Sequence, residues 1–386
     1  MKGRRVLMRV DFNVPIKDGT IKDDTRIRAS LPTIDYVLQQ GPKVLILCSH
    51  LGRPKGKSAP EFSLKPVADR LSELVKRPVI FATDCVGEPA KTAVGHAPEG
   101  GVILLENLRF HAEEEKNDPA FAQQLAALAD VYVNDAFGSA HRAHASTEGV
   151  VHHIKESAAG LLMAAEIEHL GKVLEKPDRP FVAILGGAKV SDKLEVIENL
   201  IPRIDALLIG GAMAYTFFKS RNVPVGKSLV EEDLLGAARE IEERATARGL
   251  RLELPSDHVV APKLEAGVST ETLAVGDPAI GDRMGLDIGP KTVETYRSVI
   301  AGARTVIWNG PMGVFEIDAF AQGTIAVAKA VADVKGTTVI GGGDSIAAVA
   351  KAGVTDRITH VSTGGGASLE FLGGRELPGV AALPNQ

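Results

Sequence analysis

The sequence predicts an α/β protein in which two doubly wound parallel-sheet domains follow one another along the chain. With 386 residues, the chain is long for a single hydrophobic core, so two domains are expected. Short aliphatic runs recur in two series, and most are continuous rather than alternating, as in strands buried on both faces of a parallel sheet. Helical patterns separate the runs, which gives the strand–helix–strand order of this fold class.

The predicted strands fall into one series before residue 140 and another after residue 179. The first series comprises residues 5–12, 43–50, 78–84, 101–107 and 131–137. The second comprises residues 180–187, 206–211, 305–311, 337–343 and 359–366. Amphipathic patterns at 63–76 and 118–130 predict two of the helices between the strands.

A helical segment at residues 157–180 separates the two series. Its apolar residues recur at helical spacing, and lysine and proline close it as stop signals. The segment predicts a helix that joins the two domains. One further helix of the second domain is the alternative.

Composition excludes several classes of protein. Hydrophobic residues make up 45% of the chain and charged residues 24%, which is ordinary for a globular enzyme. The net charge of −5 does not favour a general nucleic-acid or membrane role. No apolar run approaches the roughly 18 residues that span a bilayer, and the N-terminus lacks the features of a signal peptide. Cys48 and Cys85 are expected to be buried free thiols in a reducing cytoplasm rather than a disulfide.

Arginine and histidine collect at the predicted strand ends of the first half. In open parallel sheets, ligands bind beyond the carboxyl ends of the strands. A guanidinium suits phosphate and carboxylate oxygens, so the set favours one bound anion. Each arginine taken alone is more simply a surface residue paired with a nearby acid. The charged and polar residues concerned are Asp11, Asn13, Arg26, Ser49, His50, Arg53, Glu106, Asn107, Arg109, Asn134, Asp135, His141 and Arg142.

Glycine collects at the strand ends of the second half. Exposed backbone beside helix starts suits a nucleotide, because the phosphates accept amide hydrogens and a flat base fits between backbones. Tight turns are the alternative for any one cluster. The clusters are Gly186-Gly187, Gly210-Gly211, Asn309-Gly310, Gly341–Gly343 and Gly364–Gly366.

The usual nucleotide motifs are absent. Residues 52–58 (GRPKGKS) and 225–229 (VGKSL) resemble parts of a P-loop but lack its glycine spacing, and no G-x-G-x-x-G occurs. The histidine pairs His152-His153 and His141/His144 have no further residues at metal-ligand spacing, so structural or anion-contact roles are favoured for them.

Lys189 and Lys193 are the remaining chemical candidates. Their spacing of four predicts that they share a face at the opening of a helix, where a polyphosphate between them would relieve their repulsion. A solvated lysine pair offset by Asp192 and Glu195 is the alternative.

Eight motifs of the chain resemble the phosphoglycerate kinase family, in that family's order and along nearly the whole length. They are RVDFNVP (9–15), SHLGRP (49–54), LENLRF (105–110), NDAFGSAHRAHAS (134–146), LGGAKVSDK (185–193), WNGPMGVFE (308–316), GGGDS (341–345) and STGGGASLEF (362–371).

The resemblance implies a glycolytic enzyme of the cytoplasm, with small-molecule substrates and a monomeric state. It would transfer a phosphoryl group reversibly between ATP and 3-phosphoglycerate, with Mg²⁺, by direct in-line displacement after hinge closure. A non-catalytic two-domain protein that closes on a phosphorylated ligand is the alternative, and a dehydrogenase is disfavoured by the absent fingerprint.

The resemblance also implies a division of the chain into two Rossmann-like domains. Residues 1–157 would bind phosphoglycerate, 158–173 would form the hinge helix, 174–371 would bind nucleotide, and 372–386 would return to the first domain. The implied phosphoglycerate ligands are Asp11, Asn13, Arg26, His50, Arg53, Arg109 and Arg142. The implied nucleotide ligands are Gly186, Gly187, Lys189, Lys193, Gly210, Gly211, Asn309, Glu316, Gly341, Gly342, Gly343, Asp344 and Ser345.

Within this set the resemblance implies catalytic roles for Arg26, Lys189 and the amides of Gly342 and Gly343, and makes Asp344 the Mg²⁺ ligand.

The chain departs from the family pattern at few positions. Ser345 stands where many relatives have threonine, and Ala212 stands where a third glycine is common. Because no charged site residue is lost, an active enzyme is expected.

Overall fold

A computed structural model describes residues 1–384 and divides the chain into two compact units. The first unit comprises Met1–Glu168 and the C-terminal segment from Glu376 onward, and the second comprises His169–Arg375. No helix among the described residues is both long enough and apolar enough to span a membrane.

The first unit is built on a six-stranded, fully parallel sheet with the order β5-β6-β4-β1-β7-β8. The central strand β4 is buried along its whole length, and apolar clusters cover both faces of the sheet. Its strands are β1 (Arg5–Arg9), β4 (Val44–Cys48), β5 (Val79–Ala82), β6 (Gly101–Leu105), β7 (Val131–Asn134) and β8 (Glu156–Ala159), and a hairpin adds β2 (Ile16–Lys17) and β3 (Thr20–Ile21).

The strand register brings the polar strand ends of this unit into one row. Arg9, the last residue of β1, is level with Cys48 of β4 and with Asn134 of β7. The residues that follow these three strands therefore emerge at the same edge of the sheet. The helices of this part of the chain are α1 (Thr25–Gln39), α2 (Lys65–Val75), α3 (Gly87–His96), α4 (Ala112–Glu115), α5 (Pro119–Ala126) and the start of α6 (Leu161–Glu175).

The second unit contains a second parallel six-stranded sheet, with the order β11-β10-β9-β15-β16-β17. Here Leu185, Asn309 and Gly341 are level with one another, so the glycines after these strands share one edge. Its strands are β9 (Phe181–Leu185), β10 (Ala206–Ile209), β11 (Arg251–Glu253), β15 (Thr305–Asn309), β16 (Thr337–Gly341) and β17 (His360–Val361).

A small antiparallel sheet and seven further helices complete the second unit. The sheet has the order β13-β12-β14 and was not predicted from the sequence. Its strands are β12 (Asp257–Ala261), β13 (Glu271–Ala274) and β14 (Met284–Ile288). The helices are α7 (Leu194–Leu200), α8 (Met213–Ser220), α9 (Leu235–Arg248), α10 (Pro290–Ala301), α11 (Gln322–Ala332), α12 (Gly343–Lys351) and α13 (Gly366–Leu372).

The predicted α/β fold class, with two parallel-sheet domains, is confirmed. Each of the ten predicted strands contains an observed strand, and each is shorter than its apolar run because the last residues turn away as loops. The edge strands β8 and β11 were missed. Their sequences, ESAA and RLE, carry too few apolar residues to give a strand signal, since an edge position buries less surface. Cys48 and Cys85 are both buried with free thiols, as expected.

The C-terminal segment contains one last helix, α14 (Pro378–Ala381), which belongs to the first unit. Asn134 donates its side-chain amide to the Gly379 carbonyl at 3.1 Å, and the Gly379 amide donates to the Ala140 carbonyl at 2.8 Å. A strand-end side chain of the first sheet therefore anchors the end of the described chain.

The Asp135 side chain accepts hydrogen bonds from the start of helix α6. One carboxylate oxygen accepts the amides of Leu162 and Met163 at 2.9 and 3.2 Å. The side chain is buried, and that burial raises the pKa of Asp135 to about 6, against the hydrogen bonds that lower it. The folded protein therefore retains a proton at pH values where the unfolded chain has lost it.

We expect Asp135→Asn to change how stability depends on pH. Because the folded-state pKa is raised, the wild type loses stability as pH rises from about 4 to about 7, on the order of 2 kcal/mol relative to the variant. Asparagine keeps an acceptor for the helix amides but does not titrate. Urea unfolding at several pH values measures the difference. Asp282→Asn removes a carboxylate that is 92% exposed and controls for net charge. A difference in unfolding free energy between the wild type and Asp135→Asn that does not vary with pH would contradict this prediction.

Candidate active site

Arg26 and Asp11 form the first part of a cationic cluster at the edge of the first sheet. Arg26 lies in the first turn of α1 and donates to the Asp11 carboxylate at 3.0 Å. The same carboxylate oxygen accepts the Asn13 amide at 3.2 Å. Asp11 therefore orients the Arg26 guanidinium, which remains about one-third exposed.

A chain of hydrogen bonds connects the loops that follow β1, β4 and β6. The Asn13 side-chain oxygen accepts the Gly52 amide at 2.9 Å, and the Gly52 carbonyl accepts a hydrogen bond from Arg109, also at 2.9 Å. The Arg109 side chain is only 6% exposed. Burial lowers the pKa of Arg109, and the nearby guanidiniums of Arg9 and Arg142 act in the same direction.

His50 is a buried, neutral imidazole in the same cluster. Burial holds the pKa of His50 well below its usual range, with further contributions from Arg9, Arg109 and Arg26. Its Nδ1 lies 3.1 Å from an Arg9 guanidinium nitrogen. A guanidinium can only donate, so Nδ1 accepts and Nε2 carries the hydrogen. His50 therefore offers one N–H donor to a ligand.

The sequence analysis missed Arg9, the residue that organises this cluster. Its side chain is fully buried, and its Nε donates to the Ser146 hydroxyl at 2.8 Å, which in turn donates to the buried Glu114 carboxylate at 2.6 Å. The only sequence signal is a basic residue directly after the apolar run VLM, at the carboxyl end of β1 (RVLMR). Such a charge must be compensated when it is buried.

Arg53 and Arg142 complete the basic set. Arg53 is exposed and Arg142 is half-buried. Among residues 1–384, neither guanidinium has a hydrogen-bond or ion-pair partner. Nearby His144 has its pKa lowered to about 3, by burial first and then by Arg9, Arg109 and Arg142. The local field is therefore strongly positive, and an anion would relieve it.

The other polar strand-end residues of the first unit support the loops. Glu106 accepts the Leu64 amide at 2.8 Å, at the start of α2. Asn107 accepts the amide of Arg109 at 3.0 Å and donates to the Leu51 carbonyl at 2.7 Å. These two side chains fix the loops that carry the basic residues.

The strand ends of the second unit approach one another through glycine backbone. A Cβ at Gly186 would lie 2.2 Å from the Pro311 carbonyl oxygen, so only glycine fits. The amides of Gly187 and Gly211 donate to the carbonyls of Pro311 and Met312, each at 3.0 Å. These bonds tie the loops after β9, β10 and β15 together.

A cavity of about 500 Å³ opens beside these loops. Gly187, Gly211 and Met312 form part of its wall, and the exposed carboxylates of Glu316 and Asp344 also line it. Gly186 and Gly210 lie behind this wall rather than on it. A mainly apolar cleft with a few polar groups is typical of a small-molecule site.

Lys193 and Asn309 meet at the edge of the second sheet. The Lys193 ammonium donates to the Asn309 side-chain oxygen, and burial lowers the pKa of Lys193 to about 8, while Asp192 and Asp344 act to raise it. The Asn309 amide nitrogen is buried and has no hydrogen-bond partner among the described residues. It faces the backbone of Gly342, where a Cβ would lie 3.1 Å away. Both side chains therefore have unused hydrogen-bonding capacity at this edge.

Glycine also shapes the start of α12. β16 ends at Gly341, Gly342 has a φ of 91°, and the helix begins at Gly343, where added side-chain atoms would meet open space. The Ser345 hydroxyl is buried and accepts the Gly310 amide at 2.6 Å, so it joins the two loops. Asp344, the second residue of the helix, has no hydrogen-bond or ion-pair partner in the described part of the chain.

The prediction that Lys189 and Lys193 share a helical face is wrong. α7 begins only at Leu194, with Lys193 as its N-cap residue, and Lys189 lies in an irregular segment before it. Val190 between them is fully buried, which turns the chain inward. As a result Lys189 is exposed whereas Lys193 is 8% exposed.

Comparison with known proteins identifies the family of this chain. The family described as phosphoglycerate kinase matches residues 1–375. The chain belongs to the phosphoglycerate kinase family. It is similar to the phosphoglycerate kinases of Koribacter versatilis, with 57% identity covering 100% of this chain and 98% of the relative, and of Anaeromyxobacter dehalogenans, with 60% identity covering 99% and 97%.

Solved structures of the same family have this fold. Phosphoglycerate kinase from Coxiella burnetii is 42% identical with a TM-score of 0.89, covering 99% of this chain and 96% of that one. The enzyme from Pyrococcus horikoshii is 36% identical with a TM-score of 0.84, covering the same shares.

Membership in the phosphoglycerate kinase family makes the chain a phosphotransferase of glycolysis. It transfers a phosphoryl group reversibly between ATP and 3-phosphoglycerate. The predicted function is thus confirmed, and the alternative of a non-catalytic binding protein is not favoured.

We expect Arg9→Met to destabilise the protein by about 2 to 4 kcal/mol, because it leaves Glu114 buried without its compensating cation. The Michaelis constant for 3-phosphoglycerate should also rise, because His50 loses the donor that orients it. Denaturant unfolding and steady-state kinetics measure the two effects.

Arg4→Met is the matched control for Arg9→Met. Arg4 pairs with Glu156 at the surface, where such a pair contributes about 1 kcal/mol or less. Equal, small losses of stability in the two variants would contradict a compensating role for Arg9.

Proposed function

We propose that 3-phosphoglycerate binds the first unit, that the magnesium nucleotide binds the second, and that the phosphoryl group passes directly between them. The observation that supports this most strongly is the set of basic side chains at the edge of the first sheet, of which Arg53 and Arg142 have no acidic partner among residues 1–384. The cavity and open helix-start amides of the second unit supply a complementary nucleotide site.

In the first unit, the basic side chains would bind the phosphate and carboxylate of 3-phosphoglycerate. Arg53, Arg109 and Arg142 offer charge-assisted hydrogen bonds, and the neutral imidazole of His50 donates through Nε2. Asp11 and Asn13 accept hydrogen bonds and position Arg26 and the Gly52 loop, and both could accept from the substrate hydroxyl.

In the second unit, the base would occupy the apolar cavity beside Gly187 and Gly211, with Gly186 and Gly210 supporting that wall from behind. Glu316 at the rim would accept from the ribose hydroxyls. The phosphates would lie towards Lys193 and the free Asn309 amide, above the helix start at Gly341–Gly343, and Ser345 would hold the adjoining loop.

Asp344 fits the role of a Mg²⁺ ligand. Its carboxylate is exposed and unpaired in the described chain, and oxygen donors are those that Mg²⁺ prefers. When bound with the nucleotide, Mg²⁺ would offset phosphate charge. Asp344 would hold it directly or through water.

Phosphoryl transfer here would need positioning and charge stabilisation rather than a protein nucleophile. A carboxylate oxygen of 3-phosphoglycerate forms a bond to the γ-phosphorus of ATP while the bond to the bridging oxygen of ADP breaks. The attacking carboxylate is already ionised, so no general base is required. Arg26, Lys189 and the amides of Gly342 and Gly343 would stabilise the transferring group.

Transfer between two units requires closure, for which we propose residues 158–173 as the hinge. The helix α6 starts in the first unit and continues into the second. Closure would exclude water and limit ATP hydrolysis. A monomeric state and a reducing cytoplasmic compartment, which the two free thiols suit, belong to the same proposal.

A coupled assay with ATP, Mg²⁺ and 3-phosphoglycerate should detect turnover, and Arg26→Ala should lower kcat by about 100-fold or more if Arg26 acts on the transition state. Arg28→Ala, two residues along the same helix, is the matched control and should keep near-normal kcat, since the Arg28 side chain is exposed and already pairs with Asp24.

Two outcomes of this assay would go against the proposal. An absence of turnover by folded wild type would contradict the activity itself. An unchanged kcat with a raised KM in Arg26→Ala would assign Arg26 to ground-state binding instead.

Small-angle scattering should show compaction when 3-phosphoglycerate and a non-hydrolysable magnesium nucleotide are both present, because each ligand then bridges to groups of the other unit. Either ligand alone should give a smaller change. Identical curves for the free and doubly liganded protein would contradict closure.

A further inference from the structure

Asp84, Cys85 and His111 form a cluster of potential metal ligands outside the phosphoryl-transfer site. Asp84 and Cys85 lie in the loop between β5 and α3, and His111 lies between β6 and α4. A carboxylate oxygen, the thiol sulfur and an imidazole nitrogen all lie within 4.8 Å of one another. Residues 27 positions apart in sequence thus meet at one point, which no sequence motif predicts.

The three donors are those of a zinc site. Zinc binds thiolate, imidazole and carboxylate tetrahedrally, and its ligand atoms then lie roughly 3.3 to 3.7 Å apart. The three donor atoms lie within 4.8 Å of one another, so small side-chain movements would bring them to that spacing. The Asp84–His111 contact, at 2.7 Å, would widen by roughly 0.7 Å to reach tetrahedral spacing.

The surroundings hold the donors in place and leave them accessible. The Asp84 carboxylate accepts the Cys85 amide at 2.7 Å, and the His111 ring packs at 5.3 Å from the Phe121 ring. Cys85 is fully buried, whereas the side chains of His111 and Asp84 are 30% and 38% exposed. The thiol therefore forms the floor of a small site and the other two donors form its rim.

We propose that Asp84, Cys85 and His111 bind one borderline divalent cation, of which zinc is the best match, with water as the fourth ligand. Binding breaks the S–H bond of Cys85, releases its proton to solvent and forms a metal–thiolate bond. In the free protein the His111 Nε2 hydrogen is donated to the Asp84 carboxylate. On binding, that proton leaves Nε2 and Nδ1 takes one up from solvent, so the neutral ring binds the metal through Nε2 while Asp84 binds it through a carboxylate oxygen. No oxidant or reductant is needed.

The competing description is an inert thiol beside an ordinary histidine–aspartate pair. Burial, together with the Asp84 carboxylate, raises the pKa of Cys85 well above its usual range, so the free thiol is unreactive. A cation reverses this preference because it stabilises the thiolate.

Titration with Co²⁺ in the absence of nucleotide is the direct test, because a thiolate–cobalt bond gives a near-ultraviolet charge-transfer band. We expect one equivalent to produce the band, Zn²⁺ to displace it, and Cys85→Ala and His111→Gln each to abolish or strongly weaken it. Cys48→Ala removes the other buried thiol and should keep the band.

His111→Gln keeps the test decisive if Cys85→Ala folds poorly, because His111 is partly exposed and its loss leaves the core intact. The absence of a band in folded wild type would overturn the proposal. A band that persists in both cluster variants, or that is lost in Cys48→Ala alone, would do the same.

Discussion

The concentration of positive charge at one edge of the first sheet is the constraint on which the rest of the site depends. Arg9, Arg26, Arg109 and Arg142 are close enough to disfavour protonation of His50 and His144. Only part of this charge is compensated within the protein, through Glu114, Asp11 and Glu115. The buried Arg9–Ser146–Glu114 network fixes the inner layer, and the outer arginines then remain available for an anionic substrate.

At the strand ends of the second unit, glycine backbone predominates rather than charged side chains. Its strand ends carry glycines whose amides hold neighbouring loops together and leave the start of α12 open. Under the proposed assignment fewer cations are needed here, because the nucleotide would bind together with Mg²⁺. Lys193 is accordingly buried and has a lowered pKa, whereas Asp344 remains exposed at the cavity. Both units use the same feature of a parallel sheet, since strand register aligns the loops that carry the functional groups.

Much of this could be predicted from the sequence because strands buried on both faces give continuous apolar runs, and their polar ends identify the ligand edge. The rest depends on tertiary contacts. Arg9 and Glu114 look like ordinary strand and helix charges until the fold buries them together. The Lys189–Lys193 spacing suggested a helix, but burial of Val190 determined the local path. The short edge strands and the Asp84–Cys85–His111 cluster had no local pattern, since each forms only when distant segments pack.

Separate binding of the two substrates by the two units is most directly tested by calorimetric titration of paired variants. Arg142→Ala should weaken 3-phosphoglycerate tenfold or more and leave magnesium ADP unchanged, because one charge-assisted hydrogen bond contributes about 1.5 to 3 kcal/mol. Lys193→Met should do the reverse. If either variant weakened both ligands equally, or weakened only the ligand assigned to the other unit, the division of the site between the two units would be contradicted.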